Sequence, residues 1–227
     1  MIEHGDIAAA SDHVEEGAGP EGSEARLSLV QAAAGLAAPA AERNHAAERA
    51  VHDLLVALGE DPDRPGLRDT PRRVAAALTD LLTPVAFTPT TFPNDEGYDG
   101  LVMARDIEFH SLCEHHVLPF TGVAHVGYLP EDRIIGLSKL ARVVEMFSRQ
   151  LQVQERLTSQ IAAWLDRNLR PKGVGVVIEA EHTCISLRGV KKPGTRTITS
   201  ALLGAVRDDA RTRQEFLALA TRPPAQR

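Results

Sequence analysis

The sequence predicts an antiparallel α+β domain that is preceded by a helical hairpin. Apolar residues alternate along two pairs of segments, two stretches of helical spacing stand between the pairs, and the connections within each pair are short. Short connections cannot form the crossovers that parallel strands require. The order strand, strand, helix, helix, strand, strand therefore predicts one sheet with its helices on one face.

The hairpin is predicted over residues 45–84. Apolar residues recur at helical spacing from about residue 46, and Gly59 follows as a stop signal. After a turn-rich connection, Thr70 stands at an N-cap position and Pro71 at the first helical position of a second helix. Two adjacent helices joined by a turn indicate a helical hairpin.

The main domain is predicted over residues 85–227. Residues 84–100 show no apolar period and are interpreted as a loop. Beyond them, alternation predicts strands and a period of 3.6 predicts helices. The predicted elements are strands over 105–111 and 120–129, helices from about Ser138 and Gln154, strands over 174–183 and 195–200, and a last helix capped by Asp208 or Asp209.

Composition and charge exclude several function classes. The chain has 227 residues. A membrane-spanning helix requires about 18 to 20 consecutive apolar residues, and no stretch of the chain approaches this length. Two cysteines are too few for a disulfide scaffold. Residues 1–44 carry eight acidic and two basic side chains, whereas the rest carries 23 of each. A neutral body gives no basic field for nucleic acid, so we expect neither a nucleic-acid nor a membrane partner.

Residues 1–44 form an acidic tail that is predicted to be disordered. The tail is rich in Ala, Gly and Glu and has no aromatic residue. An apolar patch over 27–41 faintly resembles a secretory signal, but the residues before it are acidic instead of basic. The composition therefore favours a flexible tail.

The most informative tetrapeptide is CEHH at 113–116, between the first two predicted strands. Cys113 and His116 are three residues apart, so one tight turn can direct both at a metal ion. The only other cysteine, Cys184, is predicted at the end of a strand, on the same face as His182. Two thiolates and one imidazole suit zinc and leave a place for water, whose pKa zinc lowers from about 15.7 to about 7. The pattern indicates a hydrolytic zinc site.

The same residues also allow interpretations without a metal. The two thiols could be ordinary buried cysteines or could pair as a disulfide, and a histidine doublet is often only a polar turn. If the metal site is correct, His115 and His182 lie beside it and are suited to moving protons near neutral pH. Glu114 is not expected as a fourth ligand, because the turn that brings 113 and 116 together directs its side chain away.

Basic residues cluster at two places in the predicted domain. Ser138, Lys139 and Arg142 stand at a helix start, where backbone N–H groups favour anions, and Arg188 lies four residues beyond Cys184. Together they indicate a polyphosphate ligand. The alternative is a solvated basic face.

Glu155 stands in the first turn of a predicted helix. The helix dipole by itself favours a carboxylate there. The alternative is a fork of acceptors for two adjacent N–H donors, such as those of guanine. The sequence does not separate the two interpretations.

Five motifs closely resemble the GTP cyclohydrolase I family, in order and over about residues 46 to 220. Only the N-terminal tail lies outside the resemblance. The motifs are CEHH at 113–116, GYLP at 127–130, GLSKLAR at 136–142, QVQERLT at 152–158 and H-T-C-x-x-x-R-G at 182–189.

The resemblance implies a zinc enzyme that converts GTP and water into formate and 7,8-dihydroneopterin triphosphate, at the entry to folate and other pterins. It implies that Cys113, His116 and Cys184 hold the zinc and that His182 and His115 move protons. It also implies the tunnelling fold, in which ββααββ units join around a ring, and a homo-oligomer of two stacked pentamers. Such a ring pairs the open edges of the predicted sheet.

The resemblance also implies the substrate contacts. Glu155 with Gln154 would hold the guanine edge, and Arg73 would reach a phosphate from a neighbouring subunit. Some relatives carry a basic residue three positions beyond Arg73, where this chain has Ala76. A regulatory partner is not indicated by any motif of the tail. The residues expected at the triphosphate are Ser138, Lys139, Arg142 and Arg188.

Two rival functions are less consistent with the sequence. A zinc nucleobase deaminase requires a Pro-Cys-x-x-Cys pair, which the chain lacks. A noncatalytic nucleotide-binding ring of the same fold would not need its metal ligands and proton carriers, yet all of them are intact. Free thiolates are typical of a reducing compartment, so we expect a cytoplasmic enzyme.

Overall fold

The structure is a computed structural model that describes residues 40–222. Pro71 and Arg72 mark the boundary between two units of the chain. The predictions for residues 1–39 lie outside the described residues. The last five residues of the predicted tail, 40–44, are helical.

Two helices occupy the segment predicted as a hairpin, α1 (Ala40–Ala57) and α2 (Thr70–Leu81). The first begins earlier than predicted because residues 40–43 are strong helix formers and Glu42 favours the first turn. Their packing as a hairpin stays a prediction. No helix described between residues 40 and 222 is long and apolar enough to cross a membrane.

The second unit contains the predicted strand and helix pairs together with several short elements. The last helix is capped as predicted, because the Asp209 carboxylate accepts a hydrogen bond from the backbone N–H of Thr212 at 2.7 Å. The remaining elements are β1 (Thr91–Pro93), β2 (Val102–Cys113), β3 (Pro119–Leu129), β4 (Arg133–Ile135), α3 (Leu137–Ser148), β5 (Leu151–Gln152), α4 (Gln154–Leu169), β6 (Gly173–His182), α5 (Thr183–Ser186), β7 (Arg196–Gly204), α6 (Ala205–Asp208) and α7 (Ala210–Ala220).

The main sheet has the strand order β5-β2-β3-β6-β7, and its four long strands are antiparallel as predicted. Two features differ from the sequence prediction. The two-residue strand β5 runs parallel to the end of β2 and pairs Cys113 with Gln152. The loop prediction for 84–100 is wrong at Thr91–Pro93, which forms β1 and pairs with β4. Strands of two or three residues are too short to show an apolar period.

The two faces of the sheet bury different clusters. Alternate residues of β3, including Phe120, Val126 and Tyr128, pack with the apolar faces of α3 and α4. The opposite face carries a smaller cluster around Phe216 of α7. Gly175 makes this contact possible, since a Cβ atom there would lie 2.6 Å from the Phe216 ring. This packing leaves the ends of β2 and β6 free to carry the polar residues of the site.

A buried histidine, His125, stands in the middle of β3 and is 6% exposed. Its Nδ1 accepts the backbone N–H of Asp106 at 3.3 Å, and Asp106 lies in a bulge of β2 with φ of 54°. Burial is the largest effect and lowers the pKa of His125. The charges of Asp106 and Glu179 raise this pKa and the charge of Arg105 lowers it, and the net shift is downward. The fold therefore favours the neutral ring.

We expect the free energy of unfolding to fall between about pH 7 and about pH 5, in part through His125. The folded pKa is below the unfolded one, so the contribution is complete above the unfolded pKa and is lost as pH falls through the folded pKa. His125→Gln keeps an acceptor but does not titrate. Urea unfolding at the two pH values should show a smaller loss in this variant. An equal loss in both proteins would contradict the prediction.

Candidate active site

A tight turn follows β2 and carries the CEHH tetrapeptide. The backbone N–H of Cys113 donates to the carbonyl of Leu118, and the N–H of Val117 donates to the carbonyl of Cys113, both at 2.8 Å. Val117 has a φ of 53°, which is uncommon for a β-branched residue. These two bonds close the turn and direct its side chains toward the end of β6.

The three predicted metal ligands lie together in the structure. The ligand atoms of Cys113, His116 and Cys184 all lie within 4.8 Å of one another. Cys113 is buried, Cys184 is half-buried and His116 is exposed, so the cluster is open on one side. The prediction that Cys184 stands at the end of a strand is wrong. Strand β6 ends at His182, and Cys184 lies in the helical turn α5.

The spacing and chemistry of these atoms fit a zinc ion. A tetrahedral zinc with sulfur and nitrogen ligands spaces them about 3.5 to 3.8 Å apart. The distance from Cys113 Sγ to His116 Nδ1 is 3.9 Å. Burial and the neighbouring Cys113 raise the pKa of the Cys184 thiol, while Arg188 opposes this shift. A bound cation would reverse the balance and favour both thiolates.

An arginine from α4 holds the turn that carries the ligands. Arg156 Nη2 donates to Glu114 Oε2 at 2.5 Å and to the Leu151 carbonyl at 2.7 Å, while its Nε donates to Gln152 Oε1 at 2.9 Å. The hydrogen bond from Arg156 lowers the pKa of Glu114. Glu114 is therefore engaged away from the ligand cluster, as the sequence predicted.

We expect Arg156→Met to lower metal affinity about tenfold, because residues that orient metal ligands typically contribute 10- to 100-fold. Competition with a chromophoric chelator measures the affinity. Arg149→Met is the matched control. Arg149 directly follows α3 and forms comparable ion pairs with Asp80 of α2 and Glu145 of α3. Equal affinities for Arg156→Met and the unmutated protein would contradict the role of this arginine.

The two predicted proton carriers are near ligand candidates in the chain, His115 between Cys113 and His116 and His182 two residues before Cys184. His115 Nδ1 is 3.8 Å from Cys113 Sγ. The ring of His182 stacks on Phe120, with centroids 4.5 Å apart and planes at 4°. Burial lowers the pKa of His182, and the negative charge of Glu155 partly opposes this effect. The environment of His182 therefore favours a neutral imidazole at neutral pH.

The two residues predicted at the guanine edge differ in exposure. Glu155 is exposed in the first turn of α4, close enough to His182 to affect its pKa. Gln154 is 2% exposed, and its side-chain oxygen lies 2.8 Å from His182 Nε2. A contact between the Gln154 side chain and a base stays a prediction.

The predicted phosphate residues lie in three parts of the second unit, and three of them are on α3. Ser138 and Arg142 are exposed on the first two turns of α3, and Lys139 places its Nζ 5.8 Å from the centre of the Phe87 ring. Arg188 is exposed beyond α5, where its charge acts on Cys184. Arg73 is exposed on α2.

Sequence reasoning missed three contacts that complete the site. They are the Phe120 stack, the bond from Arg156 to Glu114 and the bond between Gln154 and His182. Both α4 residues fall within the QVQERLT motif, so the motif indicated their importance without showing their partners. Partners so distant in sequence leave no periodic signal.

Comparisons with known proteins agree with the motifs. Residues 47–221 match the family described as GTP cyclohydrolase I. A protein of Synechococcus sp. (strain JA-3-3Ab) named GTP cyclohydrolase 1 is 54% identical over 178 residues, which is 77% of this chain and 78% of the relative. Proteins of the same name from Streptomyces avermitilis and Aquifex aeolicus are 54% and 52% identical, over 76% of this chain and 88% and 94% of their own lengths.

One solved structure that resembles this chain is described as the archaeosine synthase QueF-Like in the apo form. It has a TM-score of 0.40 and 15% identity, and the match covers 47% of this chain and 96% of that one. The sequence matches are far stronger and extend over most of the described residues. The chain belongs to the GTP cyclohydrolase I family.

Proposed function

We propose that this protein converts GTP and water into formate and 7,8-dihydroneopterin triphosphate, the first step of folate or pterin synthesis, with zinc as cofactor. The observation that carries the proposal is the cluster of Cys113, His116 and Cys184, whose ligand atoms lie within 4.8 Å of one another, with His182 two residues before Cys184 in the chain. The family match and the relatives named GTP cyclohydrolase 1 support the same reaction.

The residues around the cluster divide the chemistry among themselves. Bound zinc would act as a Lewis acid and lower the pKa of a water molecule to about 7. The protein's own contribution is to move protons at the carbon that is lost as formate. His182, which favours the neutral state, accepts a proton, and His115 is placed to carry another.

Glu155 is the residue that we propose for guanine selection. Its carboxylate is exposed at the start of α4 and can accept the two adjacent N–H groups of the guanine edge. The resemblance assigns part of this task to Gln154. The Gln154 amide would have to leave its present partners to reach a base, so we propose Glu155 as the main contact of the guanine edge.

The triphosphate is proposed to lie at the start of α3. Backbone N–H groups at a helix start, together with cationic side chains, form an anion site. The enzyme is proposed to work in the cytoplasm as a ring of identical subunits, two stacked pentamers, in which a neighbour's copy of Arg73 completes the site. The triphosphate residues are Ser138, Lys139, Arg142 and Arg188.

The direct test is incubation of the purified protein with GTP, with and without a zinc chelator, while formate and a pteridine product are measured. Formation of both products, lost on chelation and restored by added zinc, is the expected result. If neither product forms although zinc is bound and the subunits are assembled, the protein is a nucleotide-binding ring without this chemistry. The separate measurement of bound zinc distinguishes that outcome from simple loss of metal.

The Glu155→Ala variant is expected to lose the preference of the enzyme for GTP over ATP. A hydrogen bond to a charged group contributes about 1.5 to 3 kcal/mol, so kcat/KM for GTP should fall at least about tenfold. Asp166→Ala, which removes an exposed carboxylate from the same helix, is the matched control and should leave kcat/KM unchanged. Comparable turnover of ATP and GTP by the unmutated protein would exclude guanine selection by Glu155.

A further inference from the structure

The orientation of the buried Gln154 amide is determined by its surroundings. Its Nε2 lies 3.1 Å from the carbonyl oxygen of Ile178 and 2.9 Å from that of Thr197. Carbonyl oxygens only accept hydrogen bonds, so both amide hydrogens are directed at them. The reversed amide would place an oxygen against two other oxygens with no hydrogen between them. The side-chain oxygen of Gln154 must therefore face away from the sheet carbonyls.

A pair of threonines is consistent with the same orientation. Thr158 Oγ1 donates its hydrogen to the backbone carbonyl of Gln154 at 2.7 Å. Thr199 Oγ1 lies 2.6 Å from Thr158 Oγ1 and must be the donor in that contact. The Thr199 oxygen, 3.1 Å from the Gln154 nitrogen, is then a third acceptor for the two amide hydrogens, one of which is shared between two acceptors. All three neighbours of the nitrogen act as acceptors, and such chains strengthen their members.

The network ends at the imidazole of His182. Gln154 Oε1 lies 2.8 Å from His182 Nε2 and can only accept a hydrogen bond. Nε2 must therefore carry a hydrogen, and in a neutral ring the lone pair is then on Nδ1. The Phe120 stack holds the plane of the ring at the same time. The other tautomer would place two lone pairs against each other, and a ring flip would replace the N–H donor with the weak C–H donor of Cε1.

We propose that Gln154 is a positioning residue that fixes His182 as the Nε2–H tautomer and leaves Nδ1 as the proton acceptor. This inference rests on the proposed function, which assigns proton transfer to His182. It gives Gln154 a role different from contact with guanine. A guanine contact would affect substrate binding, whereas a positioning role affects the chemical step.

The first arm of the test needs no substrate. Solid-state NMR of the zinc-loaded protein with ¹⁵N-labelled histidine separates the two nitrogen types, and a His182→Asn sample identifies the signals of His182. At about pH 8, above the ordinary histidine pKa of about 6.5, we expect Nε2 to be protonated and Nδ1 to be unprotonated. The opposite assignment would overturn the proposal even if the protein had no activity on GTP.

The second arm uses Gln154→Met, which keeps the length of the side chain and removes its polar atoms. We expect kcat to fall about 10- to 100-fold with KM for GTP within about twofold, and zinc content to be retained. The His182 signals should then show both tautomers. A raised KM with unchanged kcat would instead assign Gln154 to the guanine and overturn the proposal.

Tyr128→Phe is the matched control for loss of a buried hydrogen bond. The Tyr128 hydroxyl accepts the backbone N–H of Ile135 at 3.1 Å, at the opposite end of β3 from Phe120. We expect this variant to be less stable while it keeps kcat, KM and the His182 tautomer. If it loses kcat as Gln154→Met does, general destabilisation explains both variants and the positioning role is wrong. If Gln154→Met does not fold, the spectrum of the unmutated protein decides.

Discussion

Cys184→Ala is expected to remove both the bound metal and the turnover of GTP. The variant leaves only Cys113 and His116, which is one ligand fewer than a catalytic zinc site uses. Metal content by elemental mass spectrometry should fall from about one ion per chain to background. Formate release should fall to the background of the assay, since in the proposed reaction the bound metal would supply the activated water.

Ser186→Ala is the control for this prediction, because Ser186 lies in the same short helix and is buried without belonging to the ligand cluster. It should keep its metal and its turnover. Full zinc content in Cys184→Ala would show that the metal is held elsewhere. Loss of metal from both variants would assign the effect to α5 as a whole instead of to the thiolate.

His182→Ala should keep the metal and lose turnover by about 10²- to 10⁴-fold, the range for removal of a general acid or base. The residue lies outside the cluster of possible ligands, yet it stacks on Phe120 and bonds to Gln154. Zinc content and formate release measured on the same preparation separate the two effects. The variant therefore distinguishes a proton carrier from a ligand.

His125→Gln is the control for the loss of a histidine from the sheet. His125 is buried on β3 and belongs to neither the ligand cluster nor the proton carriers. We expect normal zinc content and turnover at neutral pH. If His182→Ala also turns over GTP at the normal rate, His182 has no part in the chemistry. If His182→Ala loses zinc, the His182 imidazole supports the metal site instead of the reaction.

The sequence predicted which two cysteines and which histidine come together, because cysteine is rare in the chain and two of the three residues are close in sequence. One Cys-x-x-His spacing and a single further cysteine left few combinations for a three-ligand site. The predicted conformation of the backbone at Cys184 was wrong. Four residues are too few for the sequence to distinguish one helical turn from the end of a strand. Residue types were sufficient to predict the cluster of Cys113, His116 and Cys184, whereas the backbone conformation at Cys184 depends on the rest of the fold.

The polar network around His182 was beyond sequence reasoning for a different reason. Gln154 and His182 are 28 positions apart, and Arg156 and Glu114 are 42 apart. Such contacts depend on which strands are neighbours and on which side of α4 is covered. The four long strands were predictable from alternation and short connections, but β1 and β5 were not, since neither completes a period.

The hydrogen bonds from Gln154 to Thr197 and Thr199 also favour one pairing register of β7 on β6. Strand β7 lies at the edge of the sheet, where pairing is specified by one neighbour only. A slip of one residue would send the Thr199 side chain to the opposite face and turn the Thr197 carbonyl away. The buried amide would then keep only the Ile178 carbonyl of β6 as an acceptor, and the unpaired N–H would cost about 1 to 3 kcal/mol. A misaligned edge is thereby disfavoured within the single chain, before any neighbouring subunit could stabilise it.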